Sequence, residues 1–323
     1  MLGEIIAILA VLTFVGSNVI FRKTEHEVSP TFINFFRTGI GTLTFIIIVL
    51  FLNQLSLIFL ITWQLWLLLI LSFIFGQVIG DTAYFTAQKE LGTTIALAIS
   101  MTFPLFTFIL SLIFLNRPFK LNLIVSLILI SIGITIIGKS KVNSENSTLK
   151  RILQHSIKIR IQEIFKKDIV KAIGFCFTAS LGWAIGAVIL EFATNEIDQI
   201  IHTKELSSLI GNVIRFPFAL LILSSMVWRE NYLKKRNKNL PNQKITRRSW
   251  ILLLVASIIG TSIGAYLYTE SVHIAGASVV ALIASASPLF AFPLTYFINK
   301  EGISKFGFIG VILTILGVVA ILI

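Results

Sequence analysis

Residues 75–108, FGQVIGDTAYFTAQKELGTTIALAISMTFPLFTF, and residues 259–292, IGTSIGAYLYTESVHIAGASVVALIASASPLFAF, are two copies of one segment, and that duplication decides the fold. At a constant offset of 184, Gly76, Gly80, Tyr84, Gly92, Pro104, Leu105, Phe106 and Phe108 fall on Gly260, Gly264, Tyr268, Gly276, Pro288, Leu289, Phe290 and Phe292. The match runs without a gap from 75–138 onto 259–322 and takes Gly133 to Gly317. Upstream the offset becomes 178, and Asn34 with Arg37 falls on Asn212 with Arg215. Apolar sequence matches Leu and Ile by chance, but it does not bring Gly, Pro, Asn and Arg into register together.

Working outward, 56% of the residues are hydrophobic and only 13% are charged, too few for a soluble domain of this length. Crossing a hydrocarbon core of about 30 Å takes about 20 apolar residues. Ten runs of that kind occur, near 3–21, 30–52, 63–88, 93–115, 121–138, 169–190, 205–228, 249–272, 276–298 and 304–323. The expected fold is an all-α polytopic membrane protein of ten transmembrane helices in two five-helix repeats, 1–138 and 169–323, joined by a linker over 139–168. An odd number of helices per copy makes the second enter from the opposite face, so the repeats are inverted, an architecture common among secondary transporters. The first run lacks a basic leader and a small-residue cleavage pattern, and reads as a retained helix.

The net charge of +12 sits in loops rather than on a folded face, which argues against nucleic acid as a partner. Loops after odd-numbered helices hold Arg22, Lys23, Lys89 and the basic stretches 139–171 and 229–248. The other side holds Arg117, Lys120, Lys204, Lys300 and Lys305. By the positive-inside bias the basic loops are cytoplasmic and both termini lie outside the cell membrane. In the linker, Leu149, Leu153, Ile157, Ile161 and Phe165 recur every fourth residue between basic side chains, the pattern of an amphipathic helix on the anionic leaflet. The stretch 231–248, with Pro241, reads as a solvated loop. Cys176, the single cysteine, excludes an intrachain disulfide and reads as a small buried hydrophobe.

Charges inside apolar runs are the sharpest functional signal, because each costs roughly 2.5–3.5 kcal/mol at a helix centre. Arg37 lies about 10 Å inside the start of the second helix at 1.5 Å per residue. Asp81 lies equally far from the end of the third helix, which returns to the same face, so the two are expected to pair. Arg215 enters from the opposite face, with Glu270 toward the same end of the eighth helix. The arginines read as a gate at each mouth of a path or as side chains snorkelling to headgroups. Asp81 or Glu270 reads as a static ion partner or as a site for a coupling proton. Asn34 and Asn212, one turn before the arginines, either line the path or satisfy local backbone groups.

Polar side chains that could face a solute include Tyr84, Tyr268 and Trp183, with Thr13, Ser17, Asn18, Thr82, Tyr266, Ser278 and Ser285 as ordinary helix residues beside them. Gly76 and Gly80 form a G-x-x-x-G that Gly260 and Gly264 repeat, a stripe for close helix packing or a moving contact. Pro104 and Pro288 are expected to kink the fourth and ninth helices and to free carbonyls there.

The whole unit resembles the EamA-type transporters of the drug/metabolite transporter superfamily, whose members carry two five-helix repeats. The resemblance spans nearly the whole chain and rests on the Asn-x-x-Arg pairs, on Gly-Asp-Thr-Ala-Tyr-Phe over 80–85, and on the proline-led fourth and ninth helices. It implies export or exchange of small organic solutes, with both termini cytoplasmic, the reverse of the charge count. In that family the proline-led helices commonly end in Gly-Glu. Here they end in Asn116-Arg117 and Lys300-Glu301, so only the second half keeps the acid.

A membrane-embedded enzyme is the first rival. His26, His155, His202 and His273 are dispersed, and no H-E-x-x-H or G-x-S-x-G occurs, so no catalytic residue, metal site or cofactor is expected. A channel and a non-transporting scaffold remain as alternatives to a carrier of a small polar solute such as a metabolite or amino acid. Monomer and homodimer are both compatible with the sequence.

Overall fold

The computed structural model describes residues 2–115, 158–202, 206–236, 245–285, 287–299 and 305–322, with Val125, Ile128, Leu129, Ile132, Gly133 and Ile136. The described residues are helical, with no strand among them. The helices are α1 (Leu2–Arg22), α2 (Pro30–Phe51), α3 (Trp63–Phe73), α4 (Thr82–Leu91), α5 (Thr93–Ser100) and α6 (Phe103–Phe114), then α7 (Lys158–Ile201), α8 (Ser207–Arg236), α9 (Arg247–Ser257), α10 (Gly264–Ala275), α11 (Ala277–Ala284), α12 (Ser287–Asn299) and α13 (Lys305–Leu322).

Seven rods among the described residues are long and apolar enough to cross a membrane: Leu2–Arg22, Pro30–Phe51, Trp63–Leu91, Thr93–Phe114, Asp168–Ile201, Ser207–Leu233 and Arg247–Ala275. They correspond to seven of the ten expected runs. The fifth run, 121–138, lies outside the described residues apart from isolated positions, and the ninth is divided between α11 and α12. Most of the linker also lies outside them, as do Asn116, Arg117, Lys300, Glu301 and most of the 231–248 loop after Arg236. Residues 158–168 are the first turns of α7, continuous with the sixth apolar run rather than a separate surface helix.

The bundle is apolar on its outside as well as in its core, with a set of polar and charged residues buried within. Leu43, Phe51, Ile113, Phe114, Leu221, Trp228 and Phe297 point outward, whereas Asn34, Arg37, Gln77, Asp81, Asn212 and Arg215 are buried. Lipid accepts the first set at no cost, and the second set must find partners inside.

The duplication extends to backbone irregularities. α3 and α4 are joined by a π-helical segment, Ile74–Asp81, and α9 and α10 by another, Ile258–Ile263, whose starts are 184 residues apart. A π-turn carries one extra residue per turn and releases a backbone carbonyl from the helical ladder. Gly92 (φ 79°) and Gly276 (φ 88°) follow at the same offset and turn the chain into α5 and α11. A residue with a Cβ would be strained at that φ, which explains why both copies keep glycine. Glu191 accepts the N–H of Ala277 at 2.7 Å and so caps α11 just past the turn.

The prolines act differently from expectation. α5 ends at Ser100, and Met101–Thr102 forms a turn before Pro104 sits in the first turn of a new helix, α6. Its missing N–H is harmless there, since the first turn has no intrahelical acceptor for it. Pro288 is likewise the second residue of α12. Both positions mark a break and restart, not a mid-helix kink; among the described residues the prolines inside helices are Pro217 and Pro293, which are unmatched between the copies.

Packing exchanges partners between the copies. α1 lies along α9, the second π-segment and α10; α7 lies along α3, the first π-segment and α4; α2 lies on α8. A Cβ built on Gly186 would stand 2.6 Å from the Ser72 carbonyl, and one on Gly182 would stand 2.6 Å from the Phe75 carbonyl. The equivalent crossing sets Gly260 against Ser17 and Gly264 against Thr13. Gly80 faces the Trp183 indole, whereas Gly76 has room for a methyl, its closest approach being Gly186 Cα at 4.0 Å.

On one face the α1–α2 connection ties the ends of several rods. Arg22 reaches Glu25 and the carbonyls of Gln88 and Lys89. Ser29 donates to Glu230 at 2.8 Å, and Glu27 accepts the N–H of Thr246 at 2.7 Å. That backbone bond at the start of α9 holds Glu27 below the usual glutamate range. A carboxylate with a lowered folded pKa adds stability above its unfolded pKa and loses it as pH falls through the folded value. The melting-temperature difference between wild type and Glu27→Gln is therefore expected at about pH 6 and should fade toward about pH 3. A difference that stays constant over this range would mean that Glu27 acts without its charge.

Candidate functional site

A cavity of about 140 Å³ lies where the two copies meet. Its wall takes Ala10, Val11 and Phe14 from α1, Arg37 from α2, Phe73, Gln77 and Asp81 from the third rod, and Met101 and Phe103 from the α5–α6 break. The second copy supplies Trp183 and Gly186 from α7, Arg215 from α8, Gly260, Gly264, Ala265 and Tyr268 from the rod Arg247–Ala275, and Ala284 and Ser287 from the α11–α12 break. Glycines at the π-segments remove side chains where the rods cross, so the cavity reaches close to the backbone.

The first half builds a connected polar network on this wall. Arg37 meets Asp81 at 3.1 Å and donates to Gln77 Oε1 at 3.3 Å. Trp183 Nε1 donates to Asp81 from across the cavity at 2.7 Å, so the carboxylate is engaged by both halves. Gln77 Nε2 donates to Asn34 Oδ1 at 3.0 Å and to Thr38 Oγ1 at 2.9 Å. Asn34 Nδ2 donates to the Gln77 carbonyl at 2.7 Å, in the π-segment where a carbonyl is released from the ladder, and to Thr82 Oγ1 at 2.9 Å. The Phe85 ring lies 5.4 Å from the Arg37 guanidinium. A buried ion pair needs further hydrogen bonds to its remaining atoms; Gln77 and Trp183 supply one to each member, while Arg37 Nε has no partner among the described residues.

The second half differs in its chemistry. Arg215 Nε donates to Asn212 Oδ1 at 3.0 Å and one Nη donates to Thr269 Oγ1 at 2.6 Å, while the guanidinium lies 4.6 Å from the Phe73 ring. Glu270, expected beside this arginine, does not reach it, and its Oε2 has no partner among the described residues. Successive helical residues point about 100° apart, so when Thr269 faces Arg215 its neighbour faces elsewhere.

The structure thus brings Arg37, Asp81, Arg215, Trp183, Tyr268, Gly76, Gly260 and Gly264 to one cavity, while Asn34 and Asn212 brace the arginines from behind. Tyr84 is fully buried behind the wall, with Trp183 at 5.5 Å and Phe14 at 6.2 Å between ring centres. Gly80 lies at the rod crossing, and Pro104 is buried beside the wall residue Phe103. Sequence reasoning missed Gln77, Thr269, Phe73 and the Gly182/Gly186 pair. The amide of Gln77 within an apolar run and the G-x-x-x-G spacing of Gly182 and Gly186 were signals available for three of them.

Among the described residues no group of three His, Cys, Asp or Glu side chains is placed to hold a metal ion. The chemistry on the wall is ion pairing, hydrogen bonding and aromatic contact, which suits reversible binding of a solute.

Comparisons with known proteins agree with this architecture. The profile of the EamA-like transporter family matches residues 1–139 and 170–323. An uncharacterized transporter of Archaeoglobus fulgidus is 26% identical over 199 residues, which is 61% of this chain and 61% of that protein. The chain therefore spans about three fifths of the length of this curated relative. A solved structure titled "Crystal structure of protein" superposes with a TM-score of 0.62 at 15% identity, covering 99% of this chain and 96% of the other, and so shares its fold. A family profile that spans both halves, together with seven helices long and apolar enough to cross a membrane, identifies the chain as an integral membrane protein that belongs to the EamA-like transporter family.

Proposed function

We propose that the protein is a secondary transporter that moves a small polar organic solute across the cell membrane by alternating access. In this reading ten spans form two inverted five-helix halves, and the 140 Å³ cavity is the solute site between them. The observation that carries it is the composition of the cavity wall: repeat-equivalent rods of both copies contribute, and Asp81 is held by Arg37 of its own half and Trp183 of the other. Rocking of one half against the other changes those cross-half contacts first, which couples solute occupancy to the opening of either side. Asp81 and Glu270 are the acids available for a coupling proton.

Flux in reconstituted vesicles tests this reading. A carrier gives saturable uptake that is accelerated by solute on the far side. Conductance that rises linearly with concentration would indicate a channel, and nil flux for every solute tried would favour a scaffold. The basic loops 139–168 and 229–248 are placed in the cytoplasm by charge bias, with the termini outside. Reporter fusions at the C-terminus and in the second loop decide this, and a cytoplasmic C-terminus would reverse the assignment.

A further inference from the structure

Arg215 brings a positive charge to the cavity that no described residue neutralises. Arg37 and Asp81, 3.1 Å apart, balance each other. The described groups around Arg215 are Asn212, Thr269, the Phe73 ring and Tyr268, none of them a carboxylate. Asp81 is the single carboxylate among the described residues of the cavity wall, which with Arg37 and Arg215 carry a net charge of one positive unit. In a low-dielectric interior such a charge attracts an anion far more strongly than it would in water.

The duplication indicates where the missing counter-charge belongs. Asp81 falls on Ala265 at the 184-residue offset, and Ala265 lines the same cavity. In the first half the carboxylate that meets the arginine is part of the protein; in the second, the matching side chain is a methyl group beside open space. Nε and one Nη of Arg215 are engaged, and its other Nη has no partner among the described residues. Asn212 Nδ2 is buried without an acceptor. A planar guanidinium with a free edge is suited to a planar carboxylate.

Resting on the transport reading for solute access, we infer that the cavity binds a singly charged organic anion. Its carboxylate lies on Arg215, in the position that Asp81 occupies in the first half, and its apolar body lies against Phe14, Phe103 and Trp183. The volume of about 140 Å³ is close to the roughly 150 Å³ of a cavity that accepts benzene, so the body is the size of one ring or a short branched chain. An ammonium group is disfavoured, because Asp81 is already held by Arg37 and Trp183.

The test is binding to the purified full chain in nanodiscs, by equilibrium dialysis, of monocarboxylates from propionate to phenylacetate, each beside its neutral amide, with 2-phenylethylamine as the cation. The best carboxylate is expected to bind roughly 10- to 100-fold more tightly than its amide, and the amine more weakly than either. Arg215→Gln should remove the carboxylate preference, and Arg215→Lys should keep part of it. Ala265→Asp supplies an internal counter-charge at the cavity wall and should remove the preference for a carboxylate over its amide. A panel in which no carboxylate exceeds its amide, or an undiminished preference in Ala265→Asp, would overturn the inference. Vesicle flux separates the two claims. Carboxylate binding without flux removes the transport reading alone, and flux indifferent to charge removes the anion site alone.

Discussion

Arg37→Ala is expected to cost the folded protein about 3–5 kcal/mol and to reduce solute flux in vesicles to background. The substitution leaves Asp81 buried, with Trp183 as its remaining neutral donor, and it strips Gln77 Oε1 of its guanidinium partner. Both members of the pair are only 7% exposed at the side chain, so bulk solvent replaces the lost contacts only in part. The pair is coupled, and the double variant Arg37→Ala/Asp81→Ala should therefore recover much of the melting temperature that either single variant loses. Flux should not recover in the double variant, because the carboxylate that Trp183 engages from the other half is gone. Thermal melts in detergent and vesicle flux are the two measurements. Additive losses in the double variant would show that the 3.1 Å contact carries no coupling, and wild-type flux in Arg37→Ala would remove the arginine from the transport cycle.

The second large effect concerns Gly186. Gly186→Ala places a methyl 2.6 Å from the Ser72 carbonyl and 3.1 Å from Gly76 Cα, which are backbone atoms of the opposing rod and cannot rotate aside. The rods must separate, at a cost of about 1–3 kcal/mol for overpacking. The cavity wall moves with them, since Gly186 and Gly76 both line it. Gly76→Ala is expected to be close to neutral, its nearest opposing atom being 4.0 Å away, and Gly174→Ala should be neutral or slightly stabilising because nothing lies within 4 Å. The ordering of melting temperatures is the check: a Gly76→Ala loss equal to that of Gly186→Ala would show that the crossing yields symmetrically.

Several features of this molecule were legible one residue at a time. The insertion cost of charge in an apolar run singles out Arg37, Asp81 and Arg215 as residues that must face protein or water, and all three line the cavity. The matched depths of Arg37 and Asp81 predicted their contact, because depth follows from the rise per residue. The repeated Gly92 and Gly276 marked turns whose positive φ excludes a Cβ.

Other features depend on what lies opposite a residue, and sequence position carries no such information. Gly76 and Gly186 are the same residue type, yet of the two only Gly186 would bring an added Cβ into a clash with a backbone carbonyl, at 2.6 Å. Tyr84 and Tyr268 occupy the same place in the repeat, but Tyr84 is buried behind Trp183 and Tyr268 faces the cavity. Pro104 reads as a kink until the turn at Met101–Thr102 shows that a new helix starts there.

The sequence alone determined that the chain is helical, duplicated and solvated by lipid, because period, length and insertion cost are properties of local runs. The tertiary structure alone decided that Thr269 rather than Glu270 meets Arg215, leaving a cation on the cavity wall without a carboxylate among the described residues. That outcome depends on the rotation of one rod about its axis, which is set by packing against neighbours and not by the residues of the rod itself.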